Sequence, residues 1–156
     1  MSLVVFDPTN SKHTALIPSF ADIHIQCIEI DETIATFMPP LNRHVIIDWW
    51  KERAFDAAEG KRVIIMAFSE DTDGAEQLAG FVILYRPLIE PSPFRGTVEK
   101  LLVSPKFRRQ GLARKLMEKL EEEAKARGQT LLTLDTTTGG SAEMVYPKLG
   151  YIQVLV

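Results

Sequence analysis

The chain has 156 residues, 46% hydrophobic and 25% charged, with a formal net charge of −3. That suits one domain spanning 1–156 with a core of its own, and it excludes a disordered chain. The charge gives no nucleic-acid footprint, and no stretch approaches the ~20 apolar residues of a membrane helix, so neither partner is expected.

Leu3–Phe6 reads as a short first strand closed by Asp7-Pro8. Ser19–Ile30 fits two patterns: Ile23, Ile25 and Ile30 alternate as in a strand, while Phe20, Ile23, Cys27 and Ile30 share a helix face. Thr33–Pro40 is an apolar loop broken by two prolines. Asn42–Glu59 reads as a helix whose broad face carries Ile46, Trp49, Trp50, Ala54 and Ala57, ended by Gly60. The tryptophans read as core residues first and as a substrate clamp second. Val63–Phe68 and Leu78–Leu84 are continuous apolar runs suited to central strands, and Asp71-Thr72-Asp73-Gly74 between them is hairpin chemistry. Arg86–Pro93 is a proline-rich connection. Cys27 stands alone, so no internal disulfide forms; with no signal-peptide pattern in the first ten residues, a cytoplasmic protein is expected. His13, His24 and His44 are scattered, and no cluster has metal spacing.

The stretch from Val98 to Arg127 carries the chemistry. Thr97–Val103 alternates as a strand and stops at Ser104-Pro105. A basic turn follows, Arg108-Arg109-Gln110-Gly111, and then a helix with Leu112, Ala113, Leu116, Met117, Leu120 and Ala124 on one face and Gly128 as its stop. A helix N-terminus offers unpaired N–H groups and the positive end of its dipole, which suit an anion. Gly111 allows close backbone approach, and Arg108, Arg109 and Arg114 add charge. The turn therefore reads as a phosphate or pyrophosphate cradle, with an ordinary solvated loop as the alternative.

These residues match a known pattern. Arg108-x-x-Gly111-x-Ala113 resembles the Arg/Gln-x-x-Gly-x-Gly/Ala signature of the GNAT superfamily of acetyl-CoA-dependent N-acetyltransferases. Ser104-Pro105 before it, the strand Leu131–Thr136 and the segment Ala142–Tyr151 fit the same family in order. Arg95–Tyr151 resembles the tabtoxin-resistance type in particular, notably in Leu131–Thr136 and the turn Gly139-Gly140-Ser141. The resemblance implies an α/β (α+β) fold: a mixed, mostly antiparallel sheet of about six strands with helices on both faces. It favours a helix over Ser19–Ile30, which Ser19 would cap, and it places the Thr33–Pro40 loop beside the acceptor pocket.

The resemblance also implies a reaction, acetyl transfer from acetyl-CoA to a primary amine of a small, amino-acid-like or antibiotic-like molecule. Leu102, Val103, Arg108, Arg109, Gln110, Gly111, Leu112, Ala113, Arg114 and Ser141 would hold acetyl-CoA, with the Val103 N–H as oxyanion donor. Tyr146 takes the position of the phenol that protonates the departing thiolate. An alkyl ammonium has a pKa near 10.4, ~3.4 units above neutrality, so freeing the amine costs about 4.6 kcal/mol and calls for a base. Asp135 is the first candidate and Glu99 the second. Thr97 stands where many relatives have an acid, Gly139 where many have an asparagine, and Pro147 interrupts the tyrosine helix. Those departures support the other class of function, a non-catalytic acyl-CoA-binding regulatory module. A P-loop enzyme is disfavoured, because no Lys-Ser or Lys-Thr follows Gly111.

The family runs two strands after the tyrosine helix, whereas Tyr151–Val156 suffices for one. The final family strand is thus expected to be missing. Either a second copy covers the edge beside Leu131–Asp135, giving a homodimer, or Tyr151–Val156 pairs there itself.

Overall fold

The computed structural model describes residues 1–32, 36–87, 93–135 and 142–154, the last group without the side chains of 142–144. Five strands form one sheet in sequence order: β1 (Ser2–Val5), β2 (Arg62–Glu70), β3 (Glu76–Tyr85), β4 (Arg95–Val103) and β5 (Leu131–Leu134). The first four pair antiparallel, and β5 joins β4 in parallel. The β2–β3 connection is tight because the Asp71 carboxylate accepts from the N–H groups of Asp73 and Ala75.

Helices cover both faces. A single turn, α1 (Ser11–Thr14), leads into α2 (Ile17–Asp31), which packs with α3 (Arg43–Ala58) on one face. α4 (Leu112–Ala126) and α5 (Ala142–Lys148) belong to the other. The alternation of β2 sorts its side chains: Ile64 and Met66 face α2 and α3, whereas Val63, Ile65 and Ala67 face α4. On the first face Trp50, Phe20 and Phe81 are fully buried, with ring centroids 4.8–4.9 Å apart. On the second, Leu112, Leu116, Met117, Leu120 and Ala124 form the buried stripe of α4.

Three expectations need correcting. Ser19–Ile30 is a helix, but it begins at Ile17, with Pro18 in its first turn and no side-chain cap, so Ser19 lies inside it; Ile30 is exposed. The sheet has five strands among the described residues rather than about six. Residues 151–154 form no strand, and Tyr151 begins them in the closure of α5. Gly150, at φ +92°, donates to Pro147 O while Tyr151 N–H donates to Tyr146 O, the paired bonds that end a helix through a left-handed glycine. Tyr151 packs against Tyr146 of the helix, their ring centroids 5.8 Å apart.

One buried polar pair makes the first core pH-sensitive. The Trp50 indole N–H donates to Nδ1 of His24 at 3.2 Å, so the imidazole is neutral with its proton on Nε2. Burial, with the charge of Lys100 added, lowers the His24 pKa to about 4. The unfolded imidazole takes up a proton below about pH 6.5, and the folded one resists until about 4. This contribution, on the order of 3 kcal/mol, is complete above pH 6.5 and is lost as pH falls toward 4. Urea denaturation from pH 7 to pH 4.5 is expected to show that loss. In His24→Asn the same pH interval is expected to be flatter.

Candidate active site

The site begins where β4 and β5 part. Their parallel pairing ends at Val98↔Leu134, while β4 continues five residues further, from Glu99 to Val103. Within that continuation β4 carries an extra residue relative to β3: Phe81 pairs with Leu102 and Ile83 with Glu99. Lys100, at φ +50°, sits in this bulge. The edge of β4 beyond Val98 is therefore open on the β5 side among the described residues.

The ladder shows which backbone groups face the opening. Ser104 N–H donates to Ala79 O at 2.7 Å, beside the Gly80↔Val103 pair. Gly80 and Val103 are thus a non-hydrogen-bonded pair, and the N–H and C=O of Val103 point away from β3. The Val103 C=O accepts from Arg108 Nε at 3.4 Å and from the Cys27 thiol at 3.5 Å, leaving its N–H toward the opening. Leu102 is the reverse case: opposite Phe81, its backbone serves β3, and its side chain packs on the α2–α3 core. By the same alternation Leu101 presents its N–H on the side of Val103. Leu101 was missed by sequence reasoning, although counting back by two from Val103 finds it.

The basic turn follows a 3₁₀ segment, Pro105–Phe107, capped by the Ser104 hydroxyl. Its three arginines separate. The Arg108 guanidinium grips both oxygens of Asp31 at 2.7 and 2.6 Å, bracing the end of α2 against the turn. Its charge is thereby committed to the protein, and Arg109 and Arg114 remain exposed around the helix start. Arg109 at φ +63° and Gly111 at φ +74° both have left-handed backbone, with Gly111 as the N-cap of α4. Alternating left-handed residues aim successive N–H groups into one concavity. No side chain caps α4, and its first internal bond runs from Lys115 N–H to Gly111 O, so the N–H groups of Leu112, Ala113 and Arg114 have no partner within the helix. Nothing lies within 4 Å of the place a Gly111 Cβ would take. Uncapped donors, open space and two exposed cations fit a pyrophosphate. The Gln110 amide oxygen accepts from Ser69 at 3.5 Å.

Tyr146 lies half-buried in the second cluster, which also holds Leu101 and Val103 of β4 and Leu132 and Leu134 of β5. Burial pushes its phenol pKa up, so the hydroxyl keeps its proton at neutral pH. The Gly150 turn stacks Tyr151 edge-on against it at 5.8 Å, and the Tyr151 hydroxyl donates to Glu121 of α4 at 3.4 Å. α5 runs through Pro147 and ends one residue later, at Lys148. Asp135 is exposed directly after β5. Glu99 accepts from Arg62 through both oxygens at 3.1 and 3.5 Å, and Arg62 also reaches Asp56 at 2.5 Å. The Thr97 hydroxyl pairs with that of Thr133 at 3.3 Å. Ser141 and Gly139 lie outside the described residues.

A strand with an open edge thus runs through a left-handed glycine turn into an uncapped helix. Residues 24–151 match the Acetyltransferase (GNAT) family, and the chain belongs to it. Acetyl-CoA is the co-substrate of this family. The chain is similar to the ribosomal protein bS18 alanine N-acetyltransferase of Salmonella typhimurium, 29% identical over 108 residues, 69% of this chain and 67% of that one. Its fold is similar to that of a predicted acetyltransferase of Clostridium acetobutylicum solved with acetyl-CoA (TM-score 0.67, 19% identity, 98% of this chain and 90% of that one). It is likewise similar to the ribosomal-protein-alanine N-acetyltransferase of Brucella melitensis (TM-score 0.68, 18% identity, 96% and 83%).

Calorimetric titration of CoA checks the cradle. Gly111→Val is expected to weaken binding by about tenfold or more, and Arg109→Ala by less. Gly111→Asn tolerates the left-handed backbone and separates strain from lost space. Unchanged affinity in all three would move the pyrophosphate elsewhere.

Proposed function

We propose that this protein transfers the acetyl group of acetyl-CoA to the primary amine of a small, amino-acid-like molecule. The observation that carries this is the uncapped, left-handed entry to α4 beside the open edge of β4. Acetyl-CoA supplies the thioester carbon that the amine attacks directly. Arg109, Arg114 and the N–H groups of residues 110–114 hold the pyrophosphate. The N–H groups of Val103 and Leu101 pair with the extended arm and with the oxygen that gains charge. As the new C–N bond forms and the C–S bond breaks, the nitrogen gives its proton to Asp135, directly or through water, and Tyr146 gives one to the sulfur. Glu99, held by Arg62, positions rather than accepts.

Two of the three proteins named above act, by their names, on an alanine of a ribosomal protein, and none is named as a tabtoxin-resistance enzyme. That finer likeness rests on the residues of Arg95–Tyr151. One observation favours the non-catalytic alternative: two polar side chains of β4 beside the end of its pairing with β5, Thr97 and Glu99, are already paired. Release of free thiol from acetyl-CoA across an amine panel separates the two functions; none with any amine would leave a binding module.

Tyr146→Phe is expected to lower turnover roughly 10- to 1000-fold with CoA affinity nearly unchanged. Wild-type turnover in that variant would make Tyr146 a packing residue. Asp135→Asn is expected to change the pH–rate profile, and an unaltered profile would dismiss it as the base. We also infer a homodimer through the outer edge of β5, which has no strand partner among the described residues and carries Leu131 at 44% exposure. Light scattering with amide exchange over Leu131–Leu134 tests this, a monomer with fast exchange there being the contrary result.

A further inference from the structure

The β4 bulge that opens the cofactor edge also turns Lys100 toward the opposite face of the sheet, against α3. There the Lys100 ammonium stands 5.6 Å from the centre of the Trp49 ring and donates to the Thr36 hydroxyl. The ring of Trp49 meets those of His24 at 5.8 Å and Phe37 at 6.0 Å, both nearly edge-on. Trp50, by contrast, is sealed in the core. These two adjacent tryptophans therefore have different environments, one buried and the other forming the wall of an aromatic patch.

Charge distinguishes Lys100 from its neighbours. Two cations near it are neutralised: Arg53 by Asp56 and Glu52 at 3.0 and 3.3 Å, Arg62 by Asp56 and Glu99. Lys100 has no carboxylate within 4.0 Å among the described residues; Glu99, its nearest acidic neighbour in sequence, is turned to Arg62. A half-buried ammonium held by a π-face and a hydroxyl retains an unmet electrostatic demand. His24 accepts the Trp50 N–H and is neutral, so it does not compete for an anion.

Lys100 precedes Leu101 and lies three residues before Val103. All three belong to the stretch of β4 that continues past the end of its pairing with β5. The geometry points to Lys100 as the specificity-determining residue of the acceptor site, where it binds a carboxylate on the substrate while Trp49 and Phe37 flank the substrate's stem. The inference rests on the acetyltransferase reading above and narrows its acceptor to an amine that also carries a carboxylate. A peptide N-terminus, whose α-carboxyl is tied up in an amide, lacks that group unless an acidic side chain supplies it.

The test pairs free L-amino acids with their α-amides. Binding is followed through tryptophan fluorescence with CoA present, and turnover through thiol release. Wild-type protein is expected to prefer the acid of at least one pair by about tenfold. Lys100→Met keeps the stem and removes the charge; it is expected to abolish that preference through KM while leaving CoA affinity unchanged. Lys100→Arg is expected to restore most of it. Equal binding of acid and amide by the wild type, an undiminished preference in Lys100→Met, or no binding of any pair would overturn the assignment. Acid preference in fluorescence without thiol release would instead sustain the carboxylate site and reject the acetyltransferase reading.

Discussion

The separation of β4 from β5 is the constraint on which the other features depend. Two parallel strands that stayed in register would consume each other's backbone groups and leave no edge to bind with. Here the ladder ends at Val98↔Leu134, and one extra residue in β4 bends the strand at Lys100. Backbone donors at Leu101 and Val103 are released on one side, and a lysine is turned to the other. A single local irregularity thus sets both the free backbone donors and the direction of Lys100.

That irregularity is held from several directions. Arg108 grips Asp31 at the end of α2 while reaching the carbonyl of Val103, so helix, strand end and turn are fixed together. A Cβ on Gly80 would meet Leu102 O at 2.8 Å, so β3 passes β4 closely where the opening begins. On the far side the Gly150 turn presses Tyr151 onto Tyr146 and ties it to Glu121. The strand end, the glycine turn and Tyr146 are therefore set on packed elements, as a precisely positioned site requires.

Charge on the α3 face follows the same economy. Arg53, Arg62, Asp56 and Glu99 form a connected network with opposite charges facing, and among the described residues Lys100 makes no ion pair with it. The neutral His24 beneath it keeps the patch from becoming a second cationic centre.

By itself the sequence determined what is local. The apolar runs of β2 and β3, the stripe of α4, the Asp71–Gly74 hairpin and the glycine turn at residue 111 depend on periodicity and on φ, which neighbouring residues dictate. The order of those pieces was also enough to identify the family. Tertiary structure decided which groups are free. Arg108 reads as an anion ligand until Asp31, far away in the chain, takes its charge. Glu99 reads as a spare base until Arg62 meets it, and Trp49 matches Trp50 until one is sealed and the other is not. Gly150-Tyr151 reads as a strand start until the preceding helix claims its N–H groups. The first three of these outcomes depend on pairing across long sequence separations, which no local pattern encodes, whereas the Gly150 closure is a local helix ending.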